Sequence, residues 1–243
     1  MSNIGIALQL YTLRDLASRD LAGTLAQVRE TGFEYVQWSG LAPLAASDIR
    51  AALASAGLKA IGGHCTADEL DQDIDAVIAH WQEVGVPDVA ITAPPAGALD
   101  SPASWRAWAE RAAESAQRFA DVGMRLACHH HAAELHRPSP NDPHPLDTLL
   151  AITAETPLGA EFDTGWILLG GADPAETIRP YPDRCPLLHV KDVAAGASAA
   201  QPAFVALGTG IMDLQAVFDA AEEIGVEWYV YEQDTPGAHP FED

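Results

Sequence analysis

Eight short apolar runs recur along this chain, each followed by a stretch of about helix length, and that alternation limits the fold more than any other feature. The runs are Ile4–Gln9, Phe33–Trp38, Leu58–His64, Asp88–Thr92, Arg125–His129, Leu158–Asp163, Leu187–Val190 and Trp228–Glu232. They are rich in β-branched and aromatic residues and bounded by Gly, Pro, Asp or Asn, as strands are. Between them, apolar residues return at helical spacing, for example Leu21, Leu25 and Val28 after Asp20, or Ile74, Val77, Ile78 and Trp81. Helices are expected over Leu21–Glu30, from Ser47 to Ala56, over Asp71–Val84, over Trp105–Ala120 with Ser104 as cap, over Leu146–Ala154 and over Asp213–Ile224. A shorter one opens at Asp173, with Pro174 at its first position. YTLRD, after the first run, reads as a loop.

Strands alternating with helices predict a parallel sheet. Eight of them favour closure into an α/β barrel, (β/α)8, over an open doubly wound sheet, and no GxGxxG follows the first strand. No shift in composition marks a boundary, so residues 1–243 read as one domain. Only QDTPGAHPFED follows Glu232, so the last covering helix is expected to be short or missing. A dimer contact, or one of the loops 94–102 and 132–145, should then cover the apolar flank of strands eight and one.

Charge narrows the partners. The formal net charge is −22, with two lysines, Lys59 and Lys191, and no basic run. Such a chain repels polyanions, which argues against a nucleic-acid partner. No apolar stretch approaches the ~20 residues of a membrane span, and no basic segment precedes the apolar run at the start. Three scattered cysteines without CxxC spacing read as free thiols in a reducing compartment, hence a cytoplasmic protein.

In a parallel barrel the strand ends share one face, and the chemistry sits there. The last four strands carry His129, Asp163, His189 and Glu232 at or next to their ends. Two imidazoles and two carboxylates on one rim suit one divalent metal, Zn, Mn, Fe or Co. His129 begins HHHAAELH, in which His129 should face the barrel mouth, His131 the substrate, and His130 sideways. Glu134 is the rival fifth-strand ligand. Lys191, in HVKD, could stabilise an oxyanion or donate a proton; its bland alternative is an ion pair with Asp192 or Asp163. His64 could bond a substrate hydroxyl, and Gln9, Trp38 and Trp166 could shape a pocket. GTG at residues 208–210 reads as a turn rather than a phosphate loop.

LQLYTLRD, the HxH segment with a Glu three residues on, FDTGW, GGADPAE, LHVKD, LGTGIMDL and WYVYEQD together resemble the sugar phosphate isomerase/epimerase family of the xylose isomerase-like TIM-barrel superfamily. The resemblance runs over nearly the whole chain in the same motif order. It implies one divalent metal, Mg included, held by residues of strands five to eight, and a small-molecule carbohydrate bound across it. Many relatives use two metal-bound glutamates to move a proton between adjacent carbons through an enediolate. Here Glu232 matches the eighth-strand residue, whereas His129 stands where those relatives have Glu, so His131 or Glu134 is expected to share the catalytic work with Glu232 and Lys191. The superfamily also holds dehydratases and lyases acting on keto-inositols and 3-keto-glycosides. An intact fold with degraded ligands would instead make a sugar-binding subunit. Few cations are available for a phosphate, essentially Arg14 and Lys191, which favours an uncharged sugar.

Overall fold

A computed structural model describes residues 4–137 and 143–241. Eight parallel strands form one sheet: β1 Gly5–Gln9, β2 Tyr35–Trp38, β3 Lys59–Cys65, β4 Asp88–Ile91, β5 Arg125–His129, β6 Gly159–Glu161, β7 Leu187–Val190 and β8 Trp228–Tyr231. Their order is β6-β5-β4-β3-β2-β1-β8-β7. The ring closes between β6 and β7, where Asp163 and His189 form a bridge and His189 N–H donates to Phe162 O at 2.8 Å. The fold is therefore the α/β TIM barrel, and its seam lies beside two of the rim residues.

The covering helices are α1 Arg14–Ala17, α2 Leu21–Glu30, α3 Ala46–Ala56, α4 Ala67–Val84, α5 Pro102–Ala120, α6 Pro145–Ile152, α7 Thr164–Leu169, α8 Pro174–Ile178 and α9 Leu214–Ile224. Most boundaries fall within a few residues of those expected, and three differ for local reasons. YTLRD is not a loop: Leu10–Leu13 forms a 3-10 turn that runs into α1. The cap of α5 is Ser101, not Ser104; each hydroxyl bonds the other residue's backbone N–H, with Pro102 at the first helical position. And α4 starts earlier, at a capping box between Thr66 and Glu69, then breaks at Asp73 (φ −161°, ψ 84°), whose carboxylate caps a second segment through Ala76 N–H at 3.0 Å.

Alternate residues of each strand point inward. At the N-terminal end of the barrel the interior is apolar, filled by Ala7, Ile61, Leu187 and Val230. Toward the C-terminal end the same parity carries Gln9, Gln37, His129, Glu161 and His189, all buried. Among the described residues no helix follows β8, and on the outer face of β1 Ile6 is 61% exposed. Residues 94–102 lie between β4 and α5, away from that flank, and residues 138–142 of the other proposed cover lie outside the described ones. No helix among the described residues is long and apolar enough to cross a membrane. Cys65, Cys128 and Cys185 are buried and unpaired.

A two-stranded ribbon, Asp192–Val193 with Phe204–Val205, follows β7. The GTG turn belongs to it: Asp192 accepts backbone N–H groups from Val193 (2.8 Å), Met212 (3.0 Å), Gly208 (2.9 Å) and Gly210 (2.9 Å). The glycine amides thus hold the chain's own carboxylate. Asp192→Ala should destabilise the fold by about 3 kcal/mol, read as a lower urea midpoint, with Asp192→Asn in between.

Candidate metal and substrate site

The end of β6 shows how the rim is built. Asp163 is the N-cap of α7: its Oδ1 accepts from Trp166 N–H at 2.9 Å. That leaves Oδ2, fully buried, facing the Lys191 ammonium at 2.9 Å without any well-aligned hydrogen bond. Capping and ligation are therefore compatible here, because one carboxylate serves both directions. His189 Nδ1 lies 3.8 Å from that Oδ2 and 2.7 Å from Glu232 Oε2. Asp163, His189 and Glu232 form one group able to hold a cation.

A second group, His64, His129, Glu161 and His189, shares His189 with the first. Glu161 Oε2 stands 2.7 Å from His64 Nε2, 3.0 Å from His129 Nδ1 and 3.2 Å from His189 Nε2. His129 thus contacts Glu161 directly, while its ring also borders the cavity described below. Glu161 was not anticipated. The signal was present: it lies two residues before Asp163 in a strand, and so on the same face.

Lys191 is 1% exposed and lies 3.0 Å from Glu232 Oε2 and 2.7 Å from Asp234 Oδ1, besides Asp163. The partner expected of it at Asp163 is present; Asp192 is taken by the ribbon. Asp234, two residues beyond Glu232, was also missed.

Electrostatics follow from this packing. Burial pushes Glu161 up, but the charges of His189 and His64 and the bonds from His129 and His189 outweigh it, so Glu161 lies well below the usual carboxylate range. Burial likewise opposes Glu232 and Asp163, and Lys191 together with the neighbouring imidazoles holds both low. Burial would lower His189, yet Glu161 and Glu232 raise it to about 10. Burial would lower Lys191 too, and its three carboxylates raise it above its ordinary value. Burial lifts Asp234 to about 6 against the pull of Lys191. Burial lowers His129 to about 3, and His131 below its ordinary value.

His130 points sideways, as expected. Its Nε2 accepts Asp163 N–H at 3.1 Å and its Nδ1 faces His131 O at 3.3 Å, so the ring is neutral and ties the end of β5 to that of β6. Burial lowers it to about 4. A histidine held low contributes stability that is present above pH ~6.5 and lost as pH falls toward that folded value. The contribution is about 3 kcal/mol. Urea unfolding should show this loss in the wild type and a flatter slope in His130→Phe.

A cavity of about 830 Å3 opens above these groups. His129, His131, Lys191, Glu232 and Asp234 line it, with His64, Trp38 and Trp166 in its walls. His131 stands edge-on to Trp166, ring centroids 5.2 Å apart. The far wall comes from the broken α4, with Glu69, Gln72 and Asp73. Two residues expected in the pocket lie elsewhere. Gln9 is wholly buried beneath it, donating to Gln37 Oε1 at 2.7 Å. Arg14 stacks over Tyr11 and donates to Tyr11 O at 2.9 Å. Glu134 is in neither cation-holding group: its carboxylate accepts the His131 N–H at 3.0 Å, fixing the turn after β5, and burial raises it.

Residues 25–242 match the model of the xylose isomerase-like TIM barrel. The chain is 29% identical to an inosose dehydratase of Lacticaseibacillus casei over 153 residues, 55% of this chain and 50% of that one. It spans about half the length of that relative. It is 24% identical to the rhizopine catabolism protein MocC of Rhizobium meliloti, over 89% of this chain and 76% of that one. A solved sugar phosphate isomerase/epimerase from Parabacteroides distasonis superposes with a TM-score of 0.78 at 22% identity, covering 100% of this chain and 91% of the other. A zinc-bound IolI protein superposes at 0.70 and 13% identity, covering 96% and 90%. With the family model matched over most of its length, on a closed eight-stranded barrel, the chain belongs to the xylose isomerase-like TIM-barrel family.

Proposed function

We propose that the chain is a metal-dependent enzyme that removes a proton from carbon beside the carbonyl of an uncharged carbohydrate, as a sugar isomerase or epimerase does. One observation carries the reading. Asp163, Glu232 and Asp234 crowd around Lys191, the one ammonium against these three carboxylates among the described residues, while Glu161 lies beneath the cavity among His64, His129 and His189. An excess of buried negative charge is costly, and a bound cation relieves it. The under-bonded Asp163 Oδ2 and the mixed imidazole and carboxylate donors fit a divalent ion, Mn, Zn, Co or Fe ahead of Mg.

His129, Asp163, His189 and Glu232 would hold that ion. When bound, it would supply Lewis-acid polarisation of adjacent carbonyl and hydroxyl oxygens. Glu232 would be engaged by the ion and by Lys191 at 3.0 Å, so proton removal is assigned to His131, which lines the cavity and belongs to neither cation-holding group. Lys191 keeps its charge and donates to a substrate oxygen. Trp38 and Trp166 exclude water from the walls, whereas His64, expected to bond a substrate hydroxyl, has Nε2 on Glu161 at 2.7 Å and Nδ1 on Ser39 Oγ at 2.8 Å and so only shapes the wall. Glu69, Asp73, Glu232 and Asp234 against Lys191 give the cavity a negative lining that disfavours phosphate. Buried free thiols accord with a cytoplasmic setting, and the uncovered Ile6 flank with self-association.

A second reading, a dehydratase or lyase acting on a keto-inositol or 3-keto-glycoside, is supported by the likeness to an inosose dehydratase over about half of each chain. Both reactions begin with the same proton. The test is a mass-spectrometric panel of ketoses, keto-inositols and 3-keto-glycosides in D2O with the metal-loaded protein. Deuterium uptake without loss of substrate mass favours isomerisation or epimerisation, and uptake with loss of water or aglycone favours the lyase. No exchange above a metal-only control rejects both and leaves a carbohydrate-binding subunit.

A further inference from the structure

Glu161 belongs to β6 yet touches four other strands of the barrel. Its Oε2 meets His64 of β3 at 2.7 Å, His129 of β5 at 3.0 Å and His189 of β7 at 3.2 Å. Its Oε1 receives the side-chain N–H of Gln37 from β2. It is 2% exposed, and the cavity lining does not include it. A carboxylate so placed is too deep to touch a substrate and too well bonded to be an accident of packing.

The bonds fix which nitrogens carry protons. Gln37 donates through Nε2 to Glu161, so its Oε1 faces the other way and accepts from Gln9 Nε2–H at 2.7 Å. That same Oε1 lies 2.7 Å from His189 Nε2, which must therefore carry a proton. The nitrogen of His189 that faces a metal is Nδ1, which in the ion-free protein donates to Glu232 at 2.7 Å and whose proton an ion beside Glu232 and Asp163 would displace. His129 is the mirror case. Its Nδ1 donates to Glu161, so its Nε2 is the nitrogen left over.

We propose that Glu161 is a positioning residue: one carboxylate that sets the ring orientation and proton placement of both His129 and His189, presenting Nε2 of the first and Nδ1 of the second. Carboxylates that bond the far nitrogen of a ligating histidine raise its basicity and lock its tautomer, and their loss typically weakens metal binding 10–100-fold. The rival use of the same residues is direct ligation, an ion among His64, His129, Glu161 and His189. It would require the protons that now bridge Glu161 to these rings to leave. The metal half of the inference rests on the function proposed above; the proton placement does not.

Nitrogen-15 NMR of metal-free, histidine-labelled protein reads the proton placement without any substitution. The expected result is His129 neutral with its proton on Nδ1; a proton on Nε2 overturns the proposal. Glu161→Gln is then titrated with Co(II), with thermal unfolding to check the fold. About one ion per chain, bound 10–100-fold more weakly with the wild-type visible spectrum retained, is expected. Wild-type affinity in Glu161→Gln overturns the proposal. So does complete loss of the ion with a changed ligand-field spectrum, which makes Glu161 a ligand. If Glu161→Gln does not fold, Gln37→Met tests the same relay, with weaker Co(II) binding expected and unchanged affinity counting against it. Wild-type protein that binds no ion defeats the functional reading, while the NMR result still decides the role of Glu161.

Discussion

Asp163→Ala should lose the ion altogether, with Co(II) or Mn(II) affinity falling more than about 100-fold, and His189→Ala should do the same. Both side chains are 0% exposed and neither has a substitute in reach with the same geometry. Asp163 adds a control of its own. Because its Oδ1 also caps α7 at Trp166 N–H, Asp163→Ala loses about 1 kcal/mol of fold stability as well. Asp163→Asn can keep the cap while weakening the ion, so the two roles separate by calorimetric titration alongside urea unfolding. His129→Ala against Glu134→Ala settles the fifth-strand ligand: the first should bind metal poorly. The second should bind it nearly as well as wild type, because Glu134 is engaged with the His131 backbone.

The second large effect concerns the base. His131→Ala should slow solvent deuterium exchange into a keto-sugar by about 10²–10⁴-fold, the usual worth of a positioned general base. It should leave the ion bound, since His131 is in neither cation-holding group. Glu232→Ala should lose both. A His131→Ala protein that exchanges at the wild-type rate would move the base to another residue at the rim.

The sequence made the barrel legible because its strands and helices carry different periods, and because the helices open on residues with a clear capping chemistry, such as Asp20, Asp173 and Asp213. It made Asp163, His189 and Glu232 legible because strand ends of a parallel barrel share a face. Where the reading stopped at the last residue of each strand, it lost the layer beneath. Glu161 lies two residues in from Asp163, at the spacing that the same rule supplies, and Gln37 lies one residue in from the end of β2. Asp234 lies one pleat beyond the rim, across from Lys191. Gln9 was seen, but as a pocket residue rather than as the end of the Gln9–Gln37–Glu161 relay. Other features depend on tertiary contacts that no local pattern encodes. The 3-10 turn after His131 decides that Glu134 folds back onto the chain, and the break in α4 at Asp73 decides that this helix walls the cavity.

Metal content is the most direct test of the charge argument at the barrel floor. Protein purified without chelator is analysed by mass spectrometry for Mn, Zn, Co, Fe and Mg. It is then stripped and titrated with each ion by calorimetry. Three buried or half-buried carboxylates against Lys191 predict about one divalent ion per chain, bound by the wild type and lost in Asp163→Ala. Protein that arrives without metal and takes up none of these ions would contradict the metal site, and with it the proposed chemistry.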